Sequence, residues 1–170
     1  MSTKLLLLIV CMLAAYSSFS QQFEVPQNVQ LQTKEDFVKY EKDVITATNW
    51  LEAVPIGTDD GKRKLVSAFI LQWITGSPTV TISVNTFATK LADKNPELVI
   101  LFMASYTRHA LQNNYDTSMI NGYVAGVKSV VNLYKLGGKV KKDKFVLEAV
   151  KASDDGKLED WIKSHMADTK

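Results

Sequence analysis

Apolar residues recur every three or four positions along most of this chain, and this spacing is the feature that most restricts its fold. Residues with that spacing share one face of an α-helix, which is then buried against a neighbouring element. The first such face lies between Thr33, which can cap a helix N-terminus, and Pro55, which ends a helix. It consists of Phe37, Tyr40, Val44, Thr48 and Leu51.

Six further segments have the same helical pattern, each bounded by turn or breaker residues. They span about 62–74, 86–95, 97–112, 117–136, 142–152 and 157–166. The stretch 79–84 alternates polar and apolar residues as a strand does, but the sequence offers it no partner strand. The sequence therefore predicts an all-α, single-domain bundle of about six or seven short-to-medium helices, with one short extended segment at 79–84.

The most apolar segment contains seven consecutive apolar residues, from Leu98 to Ala104. A helix that is apolar on nearly all sides is buried on nearly all sides, so we expect this to be the central helix of the bundle. Gly122 and Gly126 lie four residues apart on the following helix. Because glycine has no side chain, this pair indicates a place where a neighbouring helix approaches closely.

The first twenty residues have the parts of a secretory signal peptide. Lys4 precedes an apolar run from Leu5 to Ala15, and Ser18 and Ser20 are the small residues that a cleavage site requires. The run is shorter than the roughly 20 residues needed to cross a bilayer. We therefore expect a signal peptide at 1–20, cleavage after Ser20, and a secreted or periplasmic protein.

Removal of the signal leaves an N-terminal arm at 21–32 and a helical domain at 33–170. The only cysteine, Cys11, would leave with the signal, so the mature chain would have no disulfide and no thiolate ligand or nucleophile. This favours a bacterial envelope over an animal secretory pathway. Lys and Arg number 20 against 18 Asp and Glu, and this near balance argues against a nucleic-acid partner. No apolar run of the mature chain is long enough to span a membrane.

One Ser/His/Asp grouping is present in the sequence. Ser105 precedes His109 by four residues, on the same helix face, and Asp116 follows in the next turn. These residue types support hydrolysis when the histidine contacts both of the others. Ser105 is placed within a helix, however, without the sharp turn and oxyanion hole that a nucleophilic serine normally has. For this reason a small hydrolase is only an alternative interpretation of this chain, and not the first one.

Arg108 is one of only two arginines and lies on the most apolar helix, close in sequence to Tyr106 and Tyr115. It either holds the following turn through a salt bridge or a tyrosine hydrogen bond, or binds an anion in a cleft. Trp50 and Trp73 lie near predicted helix ends and are either core anchors or walls of a ligand cleft. The candidate cleft residues are Arg108, His109, Tyr106, Tyr115, Trp50 and Trp73.

Two turns at 59–62 and 154–157 have the sequence Asp-Asp-Gly-Lys. Both lack the alternating ligands and the closing glutamate of a calcium loop, so we predict turns and helix caps, with no metal and no cofactor. We expect an exported, non-catalytic protein that binds an unidentified protein or small-molecule partner in the cell envelope. Hydrolysis by the Ser105, His109 and Asp116 group, and self-association as an envelope component, are the two alternatives.

Overall fold

The computed structural model describes residues 23–167, and the predicted signal peptide at 1–20 lies outside them. Within the described range the chain forms eight α-helices and no β-strand, which confirms the all-α prediction. None of these helices in residues 23–167 is long and apolar enough to cross a membrane. In chain order they are α1 (Lys34–Lys39), α2 (Glu41–Ala53), α3 (Asp60–Gly76), α4 (Thr86–Lys90), α5 (Glu97–Gln112), α6 (Met119–Leu136), α7 (Lys144–Asp154) and α8 (Leu158–Ala167).

The first predicted helix is two helices in the structure, α1 and α2. Tyr40 leaves helical geometry at ψ 5°, and its backbone N–H donates to the carbonyls of Phe37 and Val38. The indole Nε1 of Trp73 on α3 also donates to the Phe37 carbonyl, at 3.0 Å. This tertiary hydrogen bond satisfies a carbonyl at the end of α1, and α2 then begins with Val44 donating to the Tyr40 carbonyl at 2.9 Å.

Side-chain caps fix the starts of four helices. Thr33 and Asp36 form a reciprocal capping box at α1, as the sequence predicts for Thr33. Asp59, Asn85 and Asp143 accept backbone N–H groups at the starts of α3, α4 and α7. Asp59 belongs to the first Asp-Asp-Gly-Lys turn, so the cap interpretation of that turn is confirmed. Each cap contributes about 1 kcal/mol to helix stability.

The long helices α5 and α6 pack against each other and form the centre of the bundle. The helices α2, α3 and α4 pack on α5, while α7 and α8 pack on α6. Leu98, Leu101 and Phe102 of α5 are fully buried, which confirms the prediction that the most apolar helix is central. Because α2 also contacts α6, these two helices and α5 meet along one side of the bundle.

The two glycines of α6 bring its backbone against aromatic rings of α5. A Cβ atom added at Gly122 would lie 2.0 Å from Tyr106 Cε2, and one at Gly126 would lie 2.5 Å from Phe102 Cδ2. Ordinary contacts of a Cβ atom begin near 3.4 Å. The close approach that the sequence predicts at this glycine pair is therefore confirmed.

The stretch 79–84 is irregular backbone in the structure. Val80 is buried, Ile82 is half-buried against the core, and Val84 is exposed. Among residues 23–167 this stretch has no partner strand, so its alternating pattern reflects burial on one side only. In the N-terminal arm, Phe23 is buried, and Val25 packs beside it against the same core.

Candidate functional site

A polar network centred on Arg108 connects α5 to α2 and α6. Its Nη2 donates to Glu52 Oε2 at 2.6 Å and to Ser129 Oγ at 2.9 Å. Its Nη1 donates to Asn49 Oδ1 at 2.5 Å. Arg108 therefore forms a salt bridge, but its partner is Glu52 on α2 and not a group in the turn after α5. The side chains of this ion pair are each 18% exposed, so water screens it only partly.

Glu52 accepts hydrogen bonds at both of its carboxylate oxygens. Besides Arg108, Asn132 Nδ2 donates to Oε1 at 2.7 Å and Ser129 Oγ donates to Oε2 at 3.0 Å. Partial burial raises the pKa of Glu52, but the hydrogen bonds from Asn132 and Arg108 lower it by more than burial raises it. The pKa of Glu52 therefore lies below its ordinary value. Glu52 is therefore ionised at neutral pH, and Arg108 balances its charge.

A pocket of about 240 Å³ lies beside this network, between α2, α5 and α6. The residues that α5 contributes are three or four positions apart, and so are those from α6, so each helix presents one face to the pocket. The α6 face includes Ala125, whose small side chain leaves the space open. Polar side chains that line the pocket include Glu52, Ser105, Arg108, Lys128, Ser129 and Asn132.

Ser105 is fully buried on the wall of this pocket. Its hydroxyl has no hydrogen-bond partner among the described residues, not even the carbonyl one turn earlier that a helical serine often uses. Leaving a buried hydroxyl unpaired costs about 1–3 kcal/mol. Ser105 therefore places beside the pocket a buried hydroxyl that has no partner within residues 23–167.

His109 lies at the pocket edge and fastens the turn after α5. Its Nε2 is 3.2 Å from Asp116 Oδ2, and its Nδ1 is 3.3 Å from Asn113 Nδ2. Hydrogen bonds from Asn121, from the backbone N–H of Ser118 and from His109 hold the pKa of Asp116 well below its ordinary range. The carboxylate of Asp116 is therefore fully ionised at neutral pH and anchors the 113–121 connection.

The structure joins only two members of the Ser105, His109 and Asp116 group. No hydrogen bond links Ser105 to His109 within residues 23–167. Both ring nitrogens of His109 already have partners on the far side, in the turn. A histidine must face the serine hydroxyl to accept its proton, so the observed arrangement lacks the nucleophile–base contact of a hydrolase.

The four aromatic residues proposed for the cleft lie elsewhere. Trp50 and Trp73 are buried in the core, and the Trp73 indole is bonded to a backbone carbonyl. Tyr106 is also buried, with its hydroxyl donating to the Thr117 carbonyl at 2.8 Å. Tyr115 is exposed and donates to a glutamate of α2. Of the six candidate cleft residues, Arg108 and His109 line the pocket.

The other arginine, Arg63, is nearly fully buried and closes the C-terminal end of α2. Its Nη2 donates to the Leu51 carbonyl at 3.2 Å and to the Val54 carbonyl. A cation near a helix C-terminus also interacts favourably with the helix dipole. Arg63 therefore has a structural role, and sequence reasoning, which concentrated on Arg108, did not identify it.

Sequence reasoning also missed Glu52, Ser129 and Asn132. A usable signal exists in the helical spacing of polar residues, since 105, 108 and 112 share one face of α5, and 128, 129 and 132 share one face of α6. A polar face on a helix that is otherwise apolar indicates either solvent or a polar pocket. Glu52 gives no such signal, because its partners are more than fifty residues away.

A second concavity, of about 510 Å³, lies between α7 and α8 beside Trp161 and His165. It is wide and mostly apolar. The buried polar atoms without a partner in the described part of the chain are Arg63 Nε, Ser105 Oγ and Thr107 Oγ1, and none of them lines it. Residues 23–167 also contain no group of three His, Cys, Asp or Glu side chains that could hold a metal ion.

The chain matches no protein-family model, no curated protein and no solved structure.

Proposed function

We propose that this chain is an exported, non-catalytic helical protein that binds a small polar molecule in the pocket between α2, α5 and α6. The observation that supports the proposal is the Ser105 hydroxyl, which is buried on the pocket wall and unpaired among the described residues. Most buried polar groups in folded proteins have partners, and exceptions require an explanation. A ligand that bonds to Ser105 supplies one.

The surrounding network favours binding because it holds the pocket in one shape. Arg108, Glu52 and Ser129 are tied to one another and come from three different helices. A ligand therefore finds polar groups that are already oriented, which lowers the entropy cost of binding. The same arrangement argues against catalysis, since the His109 ring is held by Asn113 and Asp116.

Native mass spectrometry of the protein purified from the envelope fraction of its own host tests this proposal. We expect a small-molecule adduct on the wild-type protein and its loss from Ala125→Phe, whose ring fills the pocket. Ala53→Phe, at an exposed position of α2 that does not line the pocket, is the control and should keep the adduct. If both variants keep the adduct equally, the ligand binds outside the pocket. If the wild-type protein carries no adduct, tight binding is contradicted.

The same spectra test export and self-association. A mature mass that begins at Gln21 is expected if the signal peptide is cleaved after Ser20, whereas a mass that includes Met1 or starts elsewhere would contradict that site. A dimer or larger species would support the alternative of a self-associating envelope component.

Replacing Ser105 by alanine separates binding from stability. We expect Ser105→Ala to weaken ligand binding but to raise the free energy of unfolding of the ligand-free protein by about 1 kcal/mol, because the unpaired hydroxyl is removed. Urea unfolding of both proteins measures this difference. A less stable Ser105→Ala protein would show that the hydroxyl has a structural partner, and the support for the pocket would then be lost.

A further inference from the structure

The hydrogen-bonding groups of the pocket differ in whether they already have partners. Both oxygens of Glu52 accept hydrogen bonds, and Arg108 donates to three side chains. In the described part of the chain, Ser105, Lys128 and Gln112 line the pocket without any polar side-chain contact. The groups left for a ligand are thus one buried hydroxyl, one ammonium and one exposed amide.

The charges of the pocket leave one positive charge unbalanced. Arg108 and Glu52, which both line the pocket, neutralise each other across 2.6 Å. Lys128 lies at the exposed rim, and its ammonium has no acidic partner within residues 23–167. A ligand with one negative charge at the rim would therefore complement the pocket.

The size of the pocket limits the ligand to a small molecule. Its volume of about 240 Å³ corresponds to about eight water molecules at roughly 30 Å³ each. That space suits a small organic molecule and not a large one. The unpaired donors do not suit a dianionic phosphate, which proteins commonly hold with the fork of an arginine, because Arg108 is already bonded to three side chains.

We propose that the ligand is a small organic monocarboxylate, whose carboxylate pairs with Lys128 at the rim and whose inner polar group bonds to Ser105. This inference rests on the proposed function and narrows it to one chemical class. It also gives Lys128 a role in selecting charge and Ser105 a role in selecting ligands with a second polar group, such as a hydroxyl.

Titration of the purified full-length mature protein with defined probes, followed by NMR, tests the class. The probes are lactate, benzoate and mandelate, with lactamide, benzamide and mandelamide as uncharged partners and inorganic phosphate as a second anion. We expect mandelate, which has both a carboxylate and a hydroxyl, to shift the backbone amide signals near Ser105 and Lys128 at the lowest concentration. Its amide should bind at least about tenfold more weakly, as expected when one charge-assisted hydrogen bond is lost.

Two variants check the assigned roles. Lys128→Gln should weaken mandelate binding about tenfold, while Lys64→Gln, which removes the same charge from an exposed position of α3 outside the pocket, should leave it unchanged. Ser105→Ala should reduce the preference for mandelate over benzoate. If the two lysine variants weaken mandelate binding equally, the attraction comes from the net charge of the protein alone, and the inference is overturned.

The remaining outcomes distinguish this inference from the proposed function. If phosphate or an amide binds in the pocket as tightly as the carboxylates, the carboxylate class is wrong while ligand binding in the pocket stands. If no probe shifts the pocket signals, the class is likewise overturned, and the adduct comparison between Ala125→Phe and Ala53→Phe decides whether ligand binding in the pocket stands.

Discussion

Adding one methyl group at Gly122 should destabilise the bundle at its centre. The new Cβ atom would lie 2.0–2.3 Å from three ring atoms of Tyr106, so the ring must retreat by about 1.4 Å to restore an ordinary contact. Overpacking of this kind costs about 1–3 kcal/mol. Movement of the ring also weakens the 2.8 Å hydrogen bond from Tyr106 to the Thr117 carbonyl, worth about 0.5–1.5 kcal/mol.

An opposing contribution comes from helix propensity. Alanine is favoured over glycine inside a helix by about 0.8–1.0 kcal/mol. The net expectation for Gly122→Ala is therefore a loss of about 1–3 kcal/mol in the free energy of unfolding. The matched control is Gly61→Ala in α3, where the added Cβ atom would meet only Asp59 Oδ1, at 4.0 Å. That variant should be unchanged or up to about 1 kcal/mol more stable.

Urea unfolding followed by far-UV circular dichroism measures both variants against the wild-type protein. A third variant, Tyr106→Leu, tests the cause, because the smaller side chain makes room for the methyl group. The double variant with Gly122→Ala should then be more stable than the sum of the two single changes predicts. If the Gly122→Ala protein is as stable as the Gly61→Ala protein, the described close contact between α5 and α6 at Gly122 is contradicted.

Two other perturbations follow from the polar contacts. Because hydrogen bonds hold the pKa of Glu52 below 4.5, its stabilising contribution is present above that pH and is lost as the pH falls through the folded-state pKa. Glu52→Gln should therefore be about 1–2 kcal/mol less stable than wild type at pH 7, and the difference should shrink on acidification below pH 4.5; a difference independent of pH would contradict the ion pair. Arg63→Met leaves the buried carbonyls of Leu51 and Val54 without their donor and should cost about 2–4 kcal/mol in thermal or urea unfolding, whereas a near-neutral effect would show that these carbonyls find other partners.

The same network explains why a polar pocket and a stable core coexist on α5. Its apolar face, with Leu101 and Phe102, packs within the core, while its polar face at Ser105 and Arg108 meets α2 and α6. The Arg108–Glu52 pair stabilises the contact between helices, and the pocket beside it remains open because Ala125 has a small side chain. The site is thus built on long helices of the bundle, which hold side chains in place better than loops do.

The local elements were largely predictable from the sequence. Helical spacing, caps such as Thr33 and Asp59, and the breaker Pro55 act over a few residues, and the structure has helices close to where they predict them. One exception has a tertiary cause. The break at Tyr40 accompanies a hydrogen bond from Trp73, which lies more than thirty residues away.

The site was predictable only in part, for the same reason. Arg108 stood out because arginine is rare in this chain and lies on its most apolar helix, but its partner Glu52 is 56 residues away. Sequence spacing placed Ser105 and His109 on one helix face, yet the direction in which His109 points depends on its contacts with Asp116 and Asn113. Proximity along a helix therefore did not establish a catalytic contact.

By itself, the sequence determined the all-α class, the central place of the most apolar helix and the close approach at Gly122, because periodicity, burial and side-chain size act through local geometry. Only the tertiary structure decided which charges pair, which hydroxyl stays unpaired among the described residues, and where a pocket remains. These properties depend on groups from α2, α5 and α6 meeting in space, and no short stretch of sequence contains all three.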